Sequence, residues 1–231
     1  MQITDNLEIA EVVGKYNRLI IDVKLNDKSI VSAFCSCYDV AEMCHPGTMV
    51  YIGKRKNKNL HLEYEIEFIV QDNKLVYAQP NHNNDLFAEA FDNGSIPEFS
   101  DYNRYHRIGA SDKLAHIDFE LSNSRGEKCF VFITNIYKKI GADVFFPSEI
   151  NFFELEMFEE MEQLRMQGHK TCIFMIVPRS DCHSIHFSWK LSPLAAGKIF
   201  EEAKNGLNFI GYGCNINKMS VTLSNNIPVL Y

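Results

Sequence analysis

The chain has 231 residues, 46% of them apolar, and a formal net charge of −7. That is enough chain for one large domain or two small ones with ordinary cores, and neither half carries the basic excess of a strong polyanion binder, since residues 1–80 hold nine Lys and Arg against eleven Asp and Glu and the remainder is more acidic still. No stretch approaches eighteen uncharged apolar residues, and the opening Met1-Gln-Ile-Thr-Asp-Asn-Leu-Glu lacks the basic and apolar segments of a signal peptide, so a cytoplasmic protein with no membrane partner is expected.

The first eighty residues alternate short β-type runs, "RLIIDVKL", "SIVSAFCSCY", "TMVYIG", "LEYEIEFIV" and "KLVYAQ", with turn signals at Asn26-Asp27, Pro46-Gly47 and Asp72-Asn73. Short strands at this spacing, with no helix-length pattern between them, predict a small barrel or sandwich over residues 1–80. From residue 81 the texture changes. "NHNNDLFAEAFDNG" reads as a short helix closed by Gly94, and strands and helices then alternate: strands at 116–121 and 128–136, a helix near 148–167, a strand at 171–177, a helix near 194–205, and strands at 207–212 and 219–223. In the 148–167 helix, Ile150, Phe153, Met157, Met161 and Leu164 recur at three- and four-residue steps before Gly168 stops it, which makes one buried stripe. Its outer face holds Glu154, Glu156, Glu159, Glu160 and Glu162, a surface that repels a phosphate backbone. Residues 81–231 therefore form a second, mixed α/β domain.

Seven cysteines sit singly inside apolar runs, where a free thiol behaves as a small buried hydrophobe, and disulfides are not expected. Cys35-x-Cys37, Cys44-His45 and Cys182-His183-x-x-His186 invite a zinc reading, but the cysteine spacing does not form the usual tight knuckle. Neither a Gly-x-Ser-x-Gly nucleophile turn nor a glycine-rich phosphate loop occurs.

The stretch "HIDFELSNSRGEKCFVFITN", residues 116–135, carries the chemical question. It reads as two apolar strands joined by a polar turn, with Asp118 and Glu120 sharing a face of the first and Phe132 and Thr134 sharing a face of the second. A metal-dependent phosphodiesterase builds its site from carboxylates on neighbouring strands, which hold Mg²⁺, and a lysine that orients the attacking water. Here the second strand offers a phenyl ring and a hydroxyl instead.

These segments also carry a resemblance. "YNRLIIDV" with Arg18, "HPGTMVYI", "NDLFAEAF" with Asn84, "HIDFEL" with Asp118, "GLNFIGY" and "NNIPVLY" resemble, in order and spacing, segments of the sugar fermentation stimulation protein family. The resemblance implies a two-domain α+β and α/β fold, an N-terminal OB-like β-barrel followed by a restriction-endonuclease-like domain similar to the PD-(D/E)xK nucleases. It places Asp118 at the motif's aspartate. Where the family has Glu-x-Lys-Ser, this chain has Phe132-Ile133-Thr134-Asn135, and the family's Thr-x-Arg-Gly-x-x-His stretch falls on the apolar and acidic "NFFELEM" of residues 151–157.

The expected function is accordingly nucleic-acid binding, DNA or RNA, by a scaffold whose hydrolytic role has lapsed and which needs no cofactor. Arg18 and the run Lys54, Arg55, Lys56, Lys58 would neutralise phosphates, with Tyr16, Tyr38 and Tyr51 as stacking candidates; on this reading Arg18 and Arg55 share an accessible face with an exposed aromatic ring between them. Phe132 is expected to be largely buried. Two alternatives stay open: a Mg²⁺-dependent nuclease with a site rebuilt on Asp118 and Glu120 and a lysine from Lys138 or Lys139, and a protein-interaction module on the same scaffold.

Overall fold

A computed structural model describes the chain at all residues except 4–5, 56–61, 110–111, 113, 115, 147–151, 188, 190–192 and 231. Its contacts divide into two compact units. The first comprises Met1–Leu86 together with Pro178–Asp181 and Cys214–Thr222; the second comprises Phe87–Val177, Cys182–Gly213 and Leu223–Tyr231. The division falls six residues beyond the sequence-based boundary at 80, and two later segments return to the first unit.

The first unit is built on β1 (Glu8–Lys15), β2 (Ile20–Lys24), β3 (Ile30–Phe34), α1 (Tyr38–Met43), β4 (Met49–Lys54), β5 (Tyr64–Gln71) and β6 (Lys74–Tyr77). The strands follow the order β3-β2-β1-β4-β5-β6, and a parallel β3–β5 pairing joins Ala33 to Tyr64 and Phe34 to Glu65. That closure makes a five-stranded barrel, with a short helix between β3 and β4, which is the OB arrangement. Alternation drives it: Ala10, Val12, Ile21, Val23, Ala33 and Val50 are buried while their neighbours along the strand are less so, and β5 is buried continuously from Ile66 to Ile69. Asp72 and Asn73, both at positive φ (51° and 59°), form the two-residue turn between β5 and β6, where Gln71 pairs with Lys74. α1 was hidden in a run that reads as strand, because Cys35 to Tyr38 continue the apolar texture of β3.

The second unit contains α2 (Asn83–Asp92, shared at its start with the first unit), β7 (Arg104–Arg107), β8 (Phe119–Ser122), β9 (Lys128–Asn135), β10 (Lys139–Ile140), β11 (Asp143–Phe146), α3 (Phe152–Met166), β12 (Lys170–Val177), β13 (Ser184–Phe187), α4 (Pro193–Lys204), β14 (Leu207–Asn217, its end from Cys214 belonging to the first unit), β15 (Ser220–Ile227, its start to Thr222 likewise) and β16 (Val229–Leu230). The main sheet has the order β15-β14-β12-β9-β8-β7, antiparallel from β7 to β9 and parallel where β12 joins β9 and β14; a smaller sheet runs β10-β11-β13-β16. β12 is buried from Thr171 to Val177, as a parallel strand covered on both faces must be. Its Ile173, Met175 and Val177 pack with Met157, Met161 and Leu164, the buried stripe expected of α3, and with Ile199 of α4. On the other face Phe174 meets Phe87 at 5.0 Å and Tyr212 at 5.3 Å between ring centroids. Ile150 and the side chain of Phe153, the other members of the expected stripe, lie outside what the structure describes. Among the described residues, no helix is long and apolar enough to cross a membrane.

Candidate functional site

In the second unit the strand register decides which side chains meet. Phe119 pairs with Val131 and Glu120 with Phe130, so one step further Asp118 stands opposite Phe132. Phe119 and Leu121 are buried against the α2 side, which turns Asp118 and Glu120 to the other face beside Phe130, Phe132 and Thr134. The sequence therefore assembled the right neighbours. Asp118 joins the ladder through its own N–H, donated to Val131 O at 2.9 Å, and its Oδ2 accepts the Ile133 N–H at 2.7 Å. Phe132 packs at the fringe of the core that α3 covers, and is partly rather than largely buried, because its position at the end of the pairing with β8 leaves one side uncovered. Glu120 is engaged by Lys128 Nζ at 2.8 Å.

One neighbour was not anticipated. The His116 N–H donates to Glu160 Oε2 at 3.0 Å, the same oxygen lies 3.2 Å from His116 Nδ1, and Nε2 is 3.4 Å from Glu156 Oε2. Glu156 and Glu160 are four apart on α3 and so share a face; that spacing was visible, but nothing in the sequence tied it to His116.

Mg²⁺ demands near-octahedral oxygens. The carboxylates around Asp118 are committed to an amide, a lysine and an imidazole, and the position opposite Asp118 carries a phenyl ring. Among the described residues, no three His, Cys, Asp or Glu side chains are grouped so as to hold a metal. The donor set does not fit a resident magnesium ion. Lys138 is exposed beyond β9 and Lys139 belongs to the smaller sheet. Of the zinc-like residues, all seven cysteines are free, Cys35 Sγ donates to Cys37 O at 3.4 Å, the neighbouring thiols of Cys35 and Cys44 shift each other, Cys44 down and Cys35 up from the usual thiol range, and His186 Nε2 lies 2.9 Å from Ser184 Oγ in the smaller sheet.

In the first unit the binding candidates separate. Arg18 is exposed in the β1–β2 loop, with its guanidinium 5.7 Å from the centroid of the Tyr38 ring. Tyr16 opens the same loop and is 76% exposed; Tyr38, at the start of α1, is 53% exposed. Asn17 Oδ1 fixes this loop by accepting the Leu19 and Ile20 N–H groups, each at 2.9 Å. Lys54, at the end of β4, is exposed and 3.2 Å from Glu63, whose carboxylate raises its pKa. Lys56 and Lys58 lie outside the described residues.

Arg55 departs from expectation. Its side chain is only 9% exposed, its guanidinium lies 4.6 Å from the centroid of the Phe34 ring, and Nε is 3.6 Å from Glu65 Oε2. It is covered because Phe34 and Glu65 are paired across the β3–β5 closure, a non-local junction that no local pattern announces. Tyr38 is an exposed ring beside Arg18, but Arg55 is not the accessible second arginine that was expected. Tyr51 lies under Lys218 Nζ at 4.4 Å.

A family model described as the sugar fermentation stimulation protein RE domain matches residues 81–220. The chain is 26% identical over 222 residues to a sugar fermentation stimulation protein homolog of Maricaulis maris, covering 95% of this chain and 94% of that protein, and 23% identical over 232 residues to a homolog of Geobacter metallireducens, covering the whole of both. Among solved structures it is similar to Pyrococcus furiosus SfsA in complex with Ca²⁺, with a TM-score of 0.84, 15% identity and full coverage of both chains.

Proposed function

Because the chain belongs to the sugar fermentation stimulation protein family, we propose that it is a nucleic-acid-binding protein whose nuclease-like unit holds the fold without cutting. The observation that carries the second half is the pairing of Asp118 with Phe132: the one surviving motif acid accepts a backbone amide, opposite a residue that cannot bind a metal. Pyrococcus furiosus SfsA was seen with Ca²⁺; the committed carboxylates around Asp118 are the reason not to carry that ion over. Binding is assigned to the first unit. It is an OB-type barrel, a fold whose β1–β2 and β4–β5 loops receive oligonucleotides, and here Arg18 stands on the first of these loops while Lys54 opens the second. Seven free thiols fit a reducing, cytoplasmic setting.

The test is a salt series of binding to DNA and RNA oligonucleotides, run beside a cleavage assay with Mg²⁺ and Mn²⁺. Affinity is expected to fall steeply with salt, with no cleavage above that of the Asp118→Ala variant. Metal-dependent cleavage abolished by Asp118→Ala would overturn the non-cutting assignment. A second reading, docking of a protein partner, is favoured by the exposed Glu156, Glu159 and Glu162 on α3; it takes over if no oligonucleotide binds.

A further inference from the structure

We infer that the barrel receives single-stranded nucleic acid, DNA or RNA, with bases stacked on Tyr16 and Tyr38 and a phosphate drawing Arg55 away from Glu65. This rests on the reading that the first unit binds nucleic acid, and narrows it to one class of strand by one mode of contact.

Two observations made on different residues support it. The first is the pair of rings. Tyr16 and Tyr38 are the most exposed aromatic side chains among the described residues, 76% and 53%, and Arg18, on the same loop as Tyr16, brings its guanidinium to 5.7 Å from the Tyr38 ring centroid. Base stacking on an aromatic ring needs an uncovered π-face on both partners; a duplex hides its base faces, whereas a single strand presents one per nucleotide. The second is Arg55. Its Nε and Nη1 are buried and have no hydrogen-bond partner among the described residues, although Glu65 balances the charge at 3.6 Å. Buried donors left unmade are costly. A phosphate oxygen would satisfy both charge and donors, which Glu65 at its present distance does not.

Register places the two features together. Ile20, next to the Tyr16–Leu19 loop, pairs with Phe34, Cys35 N–H donates to Leu19 O at 2.8 Å, and Arg55 covers the Phe34 ring. The Tyr16 loop, the start of α1 and the guanidinium of Arg55 thus gather at one end of β2 and β3. Glu65 becomes the competitor for that guanidinium: the bound phosphate replaces it, and its carboxylate returns to water.

The experiment measures fluorescence anisotropy of the full chain with labelled oligo-dT, oligo-rU and a duplex of equal length, across a salt series. Single strands of either sugar are expected to bind at least about tenfold more tightly than the duplex. Tyr16→Ala and Tyr38→Ala should each weaken single-strand binding by roughly five- to a hundredfold with an unchanged salt slope, since stacking carries no counterion, and the Phe variants at both positions should restore it. Arg18→Ala should lower the log-affinity against log-salt slope by about 0.7. Glu65→Gln, close in shape, should tighten binding severalfold, and an unfolding midpoint on each variant separates lost binding from lost fold. Duplex binding as tight as single-strand binding, or indifference to both tyrosine variants, overturns this inference and leaves nucleic-acid binding standing. Weaker or unchanged binding in Glu65→Gln removes Arg55 from the site. Absence of binding to all three oligonucleotides overturns the underlying reading as well.

Discussion

Asp118, just before β8, holds that strand to β9 through both its amide and its side chain. Its Oδ2 accepts from the Ile133 amide at 2.7 Å, a charge-assisted bond of the kind that contributes about 1.5–3 kcal/mol. Asp118→Ala should therefore lower stability by about that amount in urea unfolding, while Asp118→Asn, which keeps an acceptor, should lose less than half as much; equal midpoints for all three proteins would show that the bond carries no stability. Phe132→Glu, the change that restores a motif carboxylate, sets a charge against the core fringe and should destabilise by about 1–3 kcal/mol without producing cleavage. Metal-dependent activity in that variant would show that the site needs only its second acid. These neighbours were legible because strand alternation and the short turn at 123–126 fix their register within twenty residues of sequence. Arg55 was not, since what covers it comes from β3 and β5.

At the level of elements, length decided what could be foreseen. β9, β12, α3 and α4 are long, strongly patterned and close to their expected bounds. β7, with the sequence Arg-Tyr-His-Arg, and the two- to four-residue strands of the smaller sheet have too few apolar side chains to make a pattern; they form because tertiary pairing supplies what propensity does not. Gly211 shows how tightly that smaller sheet is applied. A Cβ built there would lie 2.3 Å from Ile185 Cδ1 and 2.9 Å from the Ile227 carbonyl oxygen. The side chain could turn away; the carbonyl belongs to β15 and could not. Gly211→Ala should thus force β14 away from its neighbours at a cost of about 1–3 kcal/mol, as overpacked cores do. A midpoint equal to that of the parent would mean the strands separate freely.

Over the whole molecule, buried weak acids set an alkaline limit. Burial pushes the Cys37, Cys129 and Cys214 thiols up to about 12 from their ordinary 9.0, and the Tyr102 phenol to about 12 from 10.0. The folded protein keeps these protons where the unfolded chain releases them. Stability is therefore complete below about pH 9 and declines as pH rises from there toward 12. Unfolding midpoints measured from pH 8 to 11 should fall progressively, and a flat series would show that these groups ionise equally in both states. The path of the chain has a consequence of another kind. Tyr77 N–H donates to Pro178 O, Gln71 Oε1 accepts from Arg179 Nη1 at 2.7 Å, and Ile3 N–H donates to Met219 O at 2.7 Å, so the barrel that begins the sequence is finished by residues from its last quarter. During synthesis it must wait, with β5, β6 and the segment before β1 lacking these partners, until residue 219 has left the ribosome, by which time the intervening sheet has been free to fold. A fragment ending at Leu86 should accordingly be captured by chaperones or degraded, and truncation mapping would find no stable product shorter than about 220 residues, although a barrel of this size would ordinarily fold by itself.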